Sequence, residues 1–99
     1  MNNFTDRCYA LLKLVPKGKV TTYKEIAKAL DSKAYRAVGQ AMAKNKKIIK
    51  IPCHRVVKSN GEVGKYALGE PKKILLLKEE GLTVEKGKIK DFANKLFRF

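Results

Sequence analysis

Ile51-Pro52-Cys53-His54-Arg55-Val56-Val57 holds the single histidine of this 99-residue chain, beside one of its two cysteines and just behind a proline. Pro52 fixes its own φ, supplies no N–H and pushes Ile51 toward an extended conformation. The chain therefore arrives extended and must bend near Cys53. A thiolate is the strongest common side-chain nucleophile, and a nearby base is the usual means of making one near neutral pH. A buried cysteine, a surface histidine and a Val56-Val57 strand would account for the same residues without chemistry. The heptapeptide alone leaves both readings open.

On either side, helical and turn signals alternate. Phe4, Cys8, Leu11, Leu12 and Val15 recur at helical spacing, with Thr5 available as N-cap, so Cys8 reads as core. Pro16-Lys17-Gly18-Lys19 is a turn, and Val20-Thr21 extends briefly. Thr22-Tyr23-Lys24-Glu25 is a capping box that opens a second helix burying Ile26, Ala27 and Leu30. Asp31-Ser32-Lys33 stops it and supplies caps for a third helix with Ala34, Val38, Ala41 and Met42 inward, ending near Asn45. Two short helices joined by a tight polar turn fit a helix-turn-helix, whose second member enters a DNA groove. The outer face of that helix, with Ala37, Gly39 and Gln40, is small or neutral. Such a face suits either close approach to a groove or helix–helix packing.

Downstream, Ser59-Asn60-Gly61-Glu62 is a hairpin-type turn, with Val56-Val57 and Val63 as flanks of a small wing. Gly64 and Gly69 bracket Tyr66 in a loop. Pro71 fits the first position of a fourth helix carrying Ile74, Leu75 and Leu77, with Gly81 just past its end. Glu80 falls in its last turn, where the helix dipole disfavours a carboxylate unless His or Arg pairs with it. Leu82-Thr83-Val84 and Lys88-Ile89-Lys90 form a weak hairpin. Asp91 then caps a last helix with Phe92, Leu96 and Phe99 on one side. The expected fold class is mainly α: a small helical domain with a winged-helix-like helix-turn-helix and short β-hairpin segments, residues 1–99 forming a single domain.

Composition narrows the function. A net charge of +14, with a hydrophobic fraction of 44%, favours a polyanionic partner, most simply nucleic acid. Lysine enrichment can also reflect a hot habitat. No apolar run reaches membrane-spanning length and no signal sequence opens the chain, so the expectation is a cytoplasmic, soluble protein (nuclear in a eukaryote) with no membrane partner. Two separated cysteines and one histidine make neither a zinc site nor a disulfide framework. No metal and no cofactor are expected.

The order Tyr35-Arg36-Ala37-Val38-Gly39-Gln40, Asn45, Pro52-Cys53-His54-Arg55, Ser59-Asn60-Gly61 and Gly64-Lys65-Tyr66, ending in Glu79-Glu80-Gly81, resembles the DNA-binding, alkyl-accepting domain of the O6-alkylguanine-DNA alkyltransferases. Val15-Pro16-Lys17-Gly18-Lys19-Val20-Thr21-Thr22-Tyr23 resembles that family's segment before its first DNA-binding helix. The likeness covers roughly residues 4 to 82. It implies a monomer that binds double-stranded DNA by the minor groove, flips O6-alkylguanine out of the duplex and moves the alkyl group irreversibly to Cys53. His54 would relay the proton, through a water or a tight bend, and Glu80, with Glu79 as the alternative, would orient it. Tyr23 would donate a hydrogen bond to the departing base, although a packing role also suits it. Asn45 would brace the turn around the nucleophile.

The same resemblance implies that Arg36 fills the space left by the flipped nucleotide; a phosphate clamp is the plainer role. Ser59, Lys24, Thr5, Ala37 and Gly39 would approach DNA, and Pro52, Val56, Gly64 and Tyr66 would shape the pocket. Three departures stand out. Lys46 replaces a usual proline, Leu68 replaces a usual glycine beside the pocket, and the family's usual N-terminal domain does not precede residue 4. The last feature resembles the alkyltransferase-like proteins, which bind lesions but lack the acceptor cysteine. Their role, recognition without transfer, is the alternative function; an undamaged-DNA regulator and a thiol hydrolase are the remaining ones.

Overall fold

The computed structural model describes residues 4–44, 51–66 and 68–99. Asn45, expected to brace the nucleophile, lies outside them. The order is α1 (Phe4–Leu12), β1 (Thr21–Thr22), α2 (Tyr23–Ala29), α3 (Tyr35–Ala43), a 3₁₀ turn (Cys53–Arg55), β2 (Val56–Val57), α4 (Glu70–Glu79), β3 (Val84–Glu85), β4 (Lys88–Ile89) and α5 (Phe92–Lys95). The protein is mainly helical, as its periodicities require.

α1, α2 and α3 pack around a core of Cys8, Leu12, Val15, Ile26, Ala27, Val38, Ala41 and Met42, which Ile51, Cys53 and Val56 complete. Thr22 caps α2 by accepting from the Glu25 N–H at 3.0 Å. Thr5 lies inside α1 and is not its cap, and Ala34 is exposed at the start of α3. Tyr9 ties α1 to α3 by donating its hydroxyl to the Ala41 carbonyl at 2.6 Å.

The expected wing is built differently. Val56–Val57 pair in parallel with Thr21–Thr22, and both strands are buried. The Asn60-Gly61 turn forms: the Glu62 N–H donates to Asn60 Oδ1 at 3.0 Å, and Gly61 takes a φ of 89°. Val63, however, leaves Val57 and donates its N–H to the Gly87 carbonyl at 2.9 Å, while the Ile89 N–H reaches the Gly61 carbonyl at 2.9 Å. The β3–β4 hairpin thus clamps the 58–64 loop. A second core of Val20, Val57, Val63, Leu77, Leu82 and Ile89 fills the space between.

Pro71 is the second residue of α4, behind Glu70, and Lys73, Leu76 and Leu77 make its buried face while Leu75 is exposed. α5 stops at Lys95. Leu96 turns extended, and the Phe97 N–H donates to the Val20 carbonyl at 2.6 Å, so Phe99 is not on a common helical face with Phe92. No helix among the described residues is long and apolar enough to cross a membrane.

Candidate active site

Proline chemistry builds the site's sharpest feature. Pro52 has φ −77° and ψ 65°, and the Cys53 N–H donates to the Ile51 carbonyl at 2.7 Å. These are the dihedrals of an inverse γ-turn, which needs only the φ that proline already has. The Arg55 N–H then closes on the Pro52 carbonyl at 3.0 Å and the backbone leaves as β2. Two tight turns in succession aim Cys53 toward a cavity of about 1070 Å³. Neither cysteine is in a disulfide.

Behind Cys53 lies a compact charge cluster. His54, 1% exposed, has Nε2 3.0 Å from Glu80 Oε2. Arg55 donates from Nε to Glu80 Oε1 at 2.9 Å, from Nη2 to Oε2 at 2.6 Å, and from Nη1 to the Val15 carbonyl at 2.7 Å. Burial pushes the Glu80 carboxyl up, but hydrogen bonds from Arg55 and His54, with the Arg55 charge, outweigh it and hold it below the usual carboxylate range. Burial dominates at His54 and pulls the imidazole below its ordinary value despite Glu80, so the ring is neutral near pH 7. A neutral ring facing an ionised carboxylate carries its hydrogen on Nε2. Nδ1 is then the basic nitrogen, and it is buried without a hydrogen-bond partner among the described residues. The cluster therefore holds an oriented base next in sequence to a thiol. Glu80, not Glu79, provides the carboxylate.

The cavity gathers Tyr23, Arg36, Gly39, Cys53, Gly64 and Tyr66 of the residues singled out from the sequence. Lys24 and Ser59 line an adjoining groove of about 460 Å³, which Tyr23 joins to the first. Burial, with Cys53 nearby, pushes the Tyr23 hydroxyl up and the Tyr66 hydroxyl up to about 12, so both stay protonated donors. The Tyr66 hydroxyl is buried without a partner among the described residues, and its ring meets His54 edge-on at 6.5 Å.

Two residues expected to shape the pocket lie elsewhere. Val56 is fully buried in the α1–α3 core, because its strand pairs with β1, and Pro52 is buried in the turn; neither lines the cavity. Ala37 is half-buried on α3 and Thr5 half-buried on α1, and neither lines either opening. Conversely, Lys58, Lys65, Lys86 and Lys88 line the main cavity. In a chain this rich in lysine, no local signal separates these from the others. No group of three or more His, Cys, Asp or Glu able to hold a metal occurs among the described residues.

A helix-turn-helix beside a cavity with a cysteine at its base is the arrangement of a DNA-binding domain with a thiol facing its pocket. Residues 3–82 match the 6-O-methylguanine DNA methyltransferase family, DNA-binding domain, and the chain belongs to that family. A methylated-DNA–protein-cysteine methyltransferase of Sulfolobus acidocaldarius is 41% identical over 85 residues, covering 86% of this chain and 54% of that protein. The fold superposes on S. pombe Atl1, crystallised with damaged DNA containing O6-carboxymethylguanine, with TM-score 0.86 and 30% identity over 100% of both chains. The O6-methylguanine-DNA methyltransferase of Pyrococcus kodakaraensis KOD1 gives TM-score 0.74 and 44% identity, over 82% of this chain and 47% of that one. The chain spans between 28% and 56% of the length of the first four curated relatives it matches.

Proposed function

We propose that the protein repairs double-stranded DNA containing O6-alkylguanine by taking the alkyl group onto Cys53, once per molecule. One observation carries the reading. Cys53 opens on a cavity lined by protonated tyrosines, while the adjacent His54 is fixed by Glu80 with its basic nitrogen unoccupied by any described group.

In this scheme α3 enters the minor groove and Arg36 occupies the space of the flipped nucleotide. The Cys53 thiol gives its proton to His54 Nδ1 through a water. The sulfur then attacks the alkyl carbon; an S–C bond forms and the C–O6 bond breaks. The electron pair of that bond stays on guanine, Tyr23 donates a hydrogen bond to the base as it leaves, and the proton held on His54 passes through water to the guanine. The product is a neutral thioether. No described group offers a way to cleave it, so turnover stops there.

Gly39 supports the groove contact. A Cβ placed there would meet nothing within 4 Å, so packing inside the molecule does not require glycine, which costs about 1 kcal/mol relative to alanine inside a helix. A backbone pressed against an outside body does. The second reading is lesion recognition without transfer, favoured by the end-to-end match with Atl1. Incubation with duplex DNA containing O6-methylguanine, followed by mass spectrometry, separates the two. A methyl increment on the Cys53 peptide, absent in Cys53→Ser, is the expected result. Tight, lesion-selective binding with unchanged mass would establish the second reading instead.

A further inference from the structure

Lys73 is the largest side chain buried to 0% exposure, in an α4 whose other lysines reach solvent. Its Nζ donates one hydrogen bond among the described residues, to the Lys65 carbonyl at 3.1 Å. A Cβ on Gly64 would stand 3.9 Å from Lys73 Nζ and equally 3.9 Å from the Tyr23 hydroxyl. The ammonium therefore sits directly behind the Gly64–Lys65 wall of the cavity on which Cys53 opens. A leucine would fill this helix position without the several kcal/mol that burying an ammonium costs, unless an anion answers the charge.

Few anions are in range. Glu80 is saturated by Arg55 and His54. Glu70, one turn back on α4, couples to Lys73, but it is exposed at the helix start and screened by water. The remaining coupled group is Cys53. The other titratable groups around it, Tyr9, Tyr23 and Tyr66, are held protonated by burial, and His54 is held neutral. Burial pulls the Lys73 ammonium down to about 8, with Cys53 and Glu70 opposing, which leaves it charged at neutral pH.

We propose that Lys73 is the counter-ion of the Cys53 thiolate, a positioning residue that makes the sulfur nucleophilic before any DNA arrives. The inference rests on Cys53 as the reactive thiol, but its test needs no nucleic acid. Carbamidomethylation of Cys53 by iodoacetamide is followed against pH on the whole chain, peptide mapping separating Cys53 from Cys8. The natural protein should react with a midpoint below the roughly 8.5 of an ordinary thiol. Lys73→Met should raise that midpoint by about one unit, slowing reaction at pH 7 about tenfold. Lys73→Arg should restore most of the shift.

A reciprocal measurement leaves Lys73 intact. In Cys53→Ser the Lys73 ammonium, followed by NMR, should titrate at lower pH than in the natural chain, because coupling acts equally on both partners. An unchanged Cys53 midpoint in a folded Lys73→Met, or an unchanged Lys73 titration in Cys53→Ser, overturns the proposal. Absence of methyl transfer from DNA, with both shifts present, would sink the proposed function and leave this pairing standing.

Discussion

The two sides of Cys53 are built to opposite rules. On the inner side, Arg55, Glu80 and His54 use one another: the carboxylate accepts from Arg55 at both oxygens and from His54, and the last Arg55 arm takes the Val15 carbonyl. On the outer side, groups are left over. Among the described residues the Tyr66 hydroxyl has no partner, Lys73 has one carbonyl, and the face at Gly39 meets open space. The saturated Glu80 carboxylate fixes the His54 tautomer and leaves only Nδ1 over among the described residues of the inner side, whereas the unsaturated groups around the cavity are held ready for something from outside. The difference separates scaffold from receiving surface around a single sulfur atom.

The largest effect should come from removing the hub of the inner side. Glu80→Ala strands a half-buried guanidinium and a buried imidazole and should lower the unfolding free energy by about 3 kcal/mol in urea titration. A loss under 1 kcal/mol would mean that this cluster is no more coupled than the exposed Lys58–Glu62 pair at 3.8 Å.

Next comes acid. His54 and Glu80 both titrate below their ordinary values in the fold, so the unfolded chain takes up protons first as pH drops. Stability should be full above about pH 6.5, fall as the unfolded-state histidine protonates, and fall again through the carboxylate range near pH 4. Thermal melts at pH 7.5, 5.5 and 4.0 check it, and a flat profile would contradict the inner-side network.

The smallest effect tests the outer side. Gly39→Ala should stabilise the fold by up to about 1 kcal/mol while weakening binding to duplex DNA. Unchanged affinity would mean that nothing presses on that face of α3.

How much of this was legible beforehand varies along the chain. The α1 stripe of Cys8 and Leu12 and the Thr22 cap of α2 are local patterns, and the fold keeps them. Helical spacing puts Ile74, Leu75 and Leu77 on the α4 face, whereas the fold exposes Leu75 and buries Lys73. Lys73 reads as a solvent residue beside Lys72, because lysine is almost never buried without a partner, and nothing nearby in sequence names the partner. Val56 was misassigned for a related reason. A two-residue strand has no period to read, and the choice between Val63 and Thr21–Thr22 as its neighbour depends on chain packing over distances a local pattern does not encode.

By itself, the order of residues determined the helices, the bend at Pro52 and the family to which the chain belongs. Each rests on local sterics, on 3.6-residue periodicity or on a short motif. Only the folded chain decided that Arg55 shares Glu80 with His54, that the 84–89 hairpin clamps the cavity loop and that an ammonium lies buried behind Gly64. The first depends on residues 25 and 26 positions apart meeting where water is excluded, and the last on a buried charge that must find an answer.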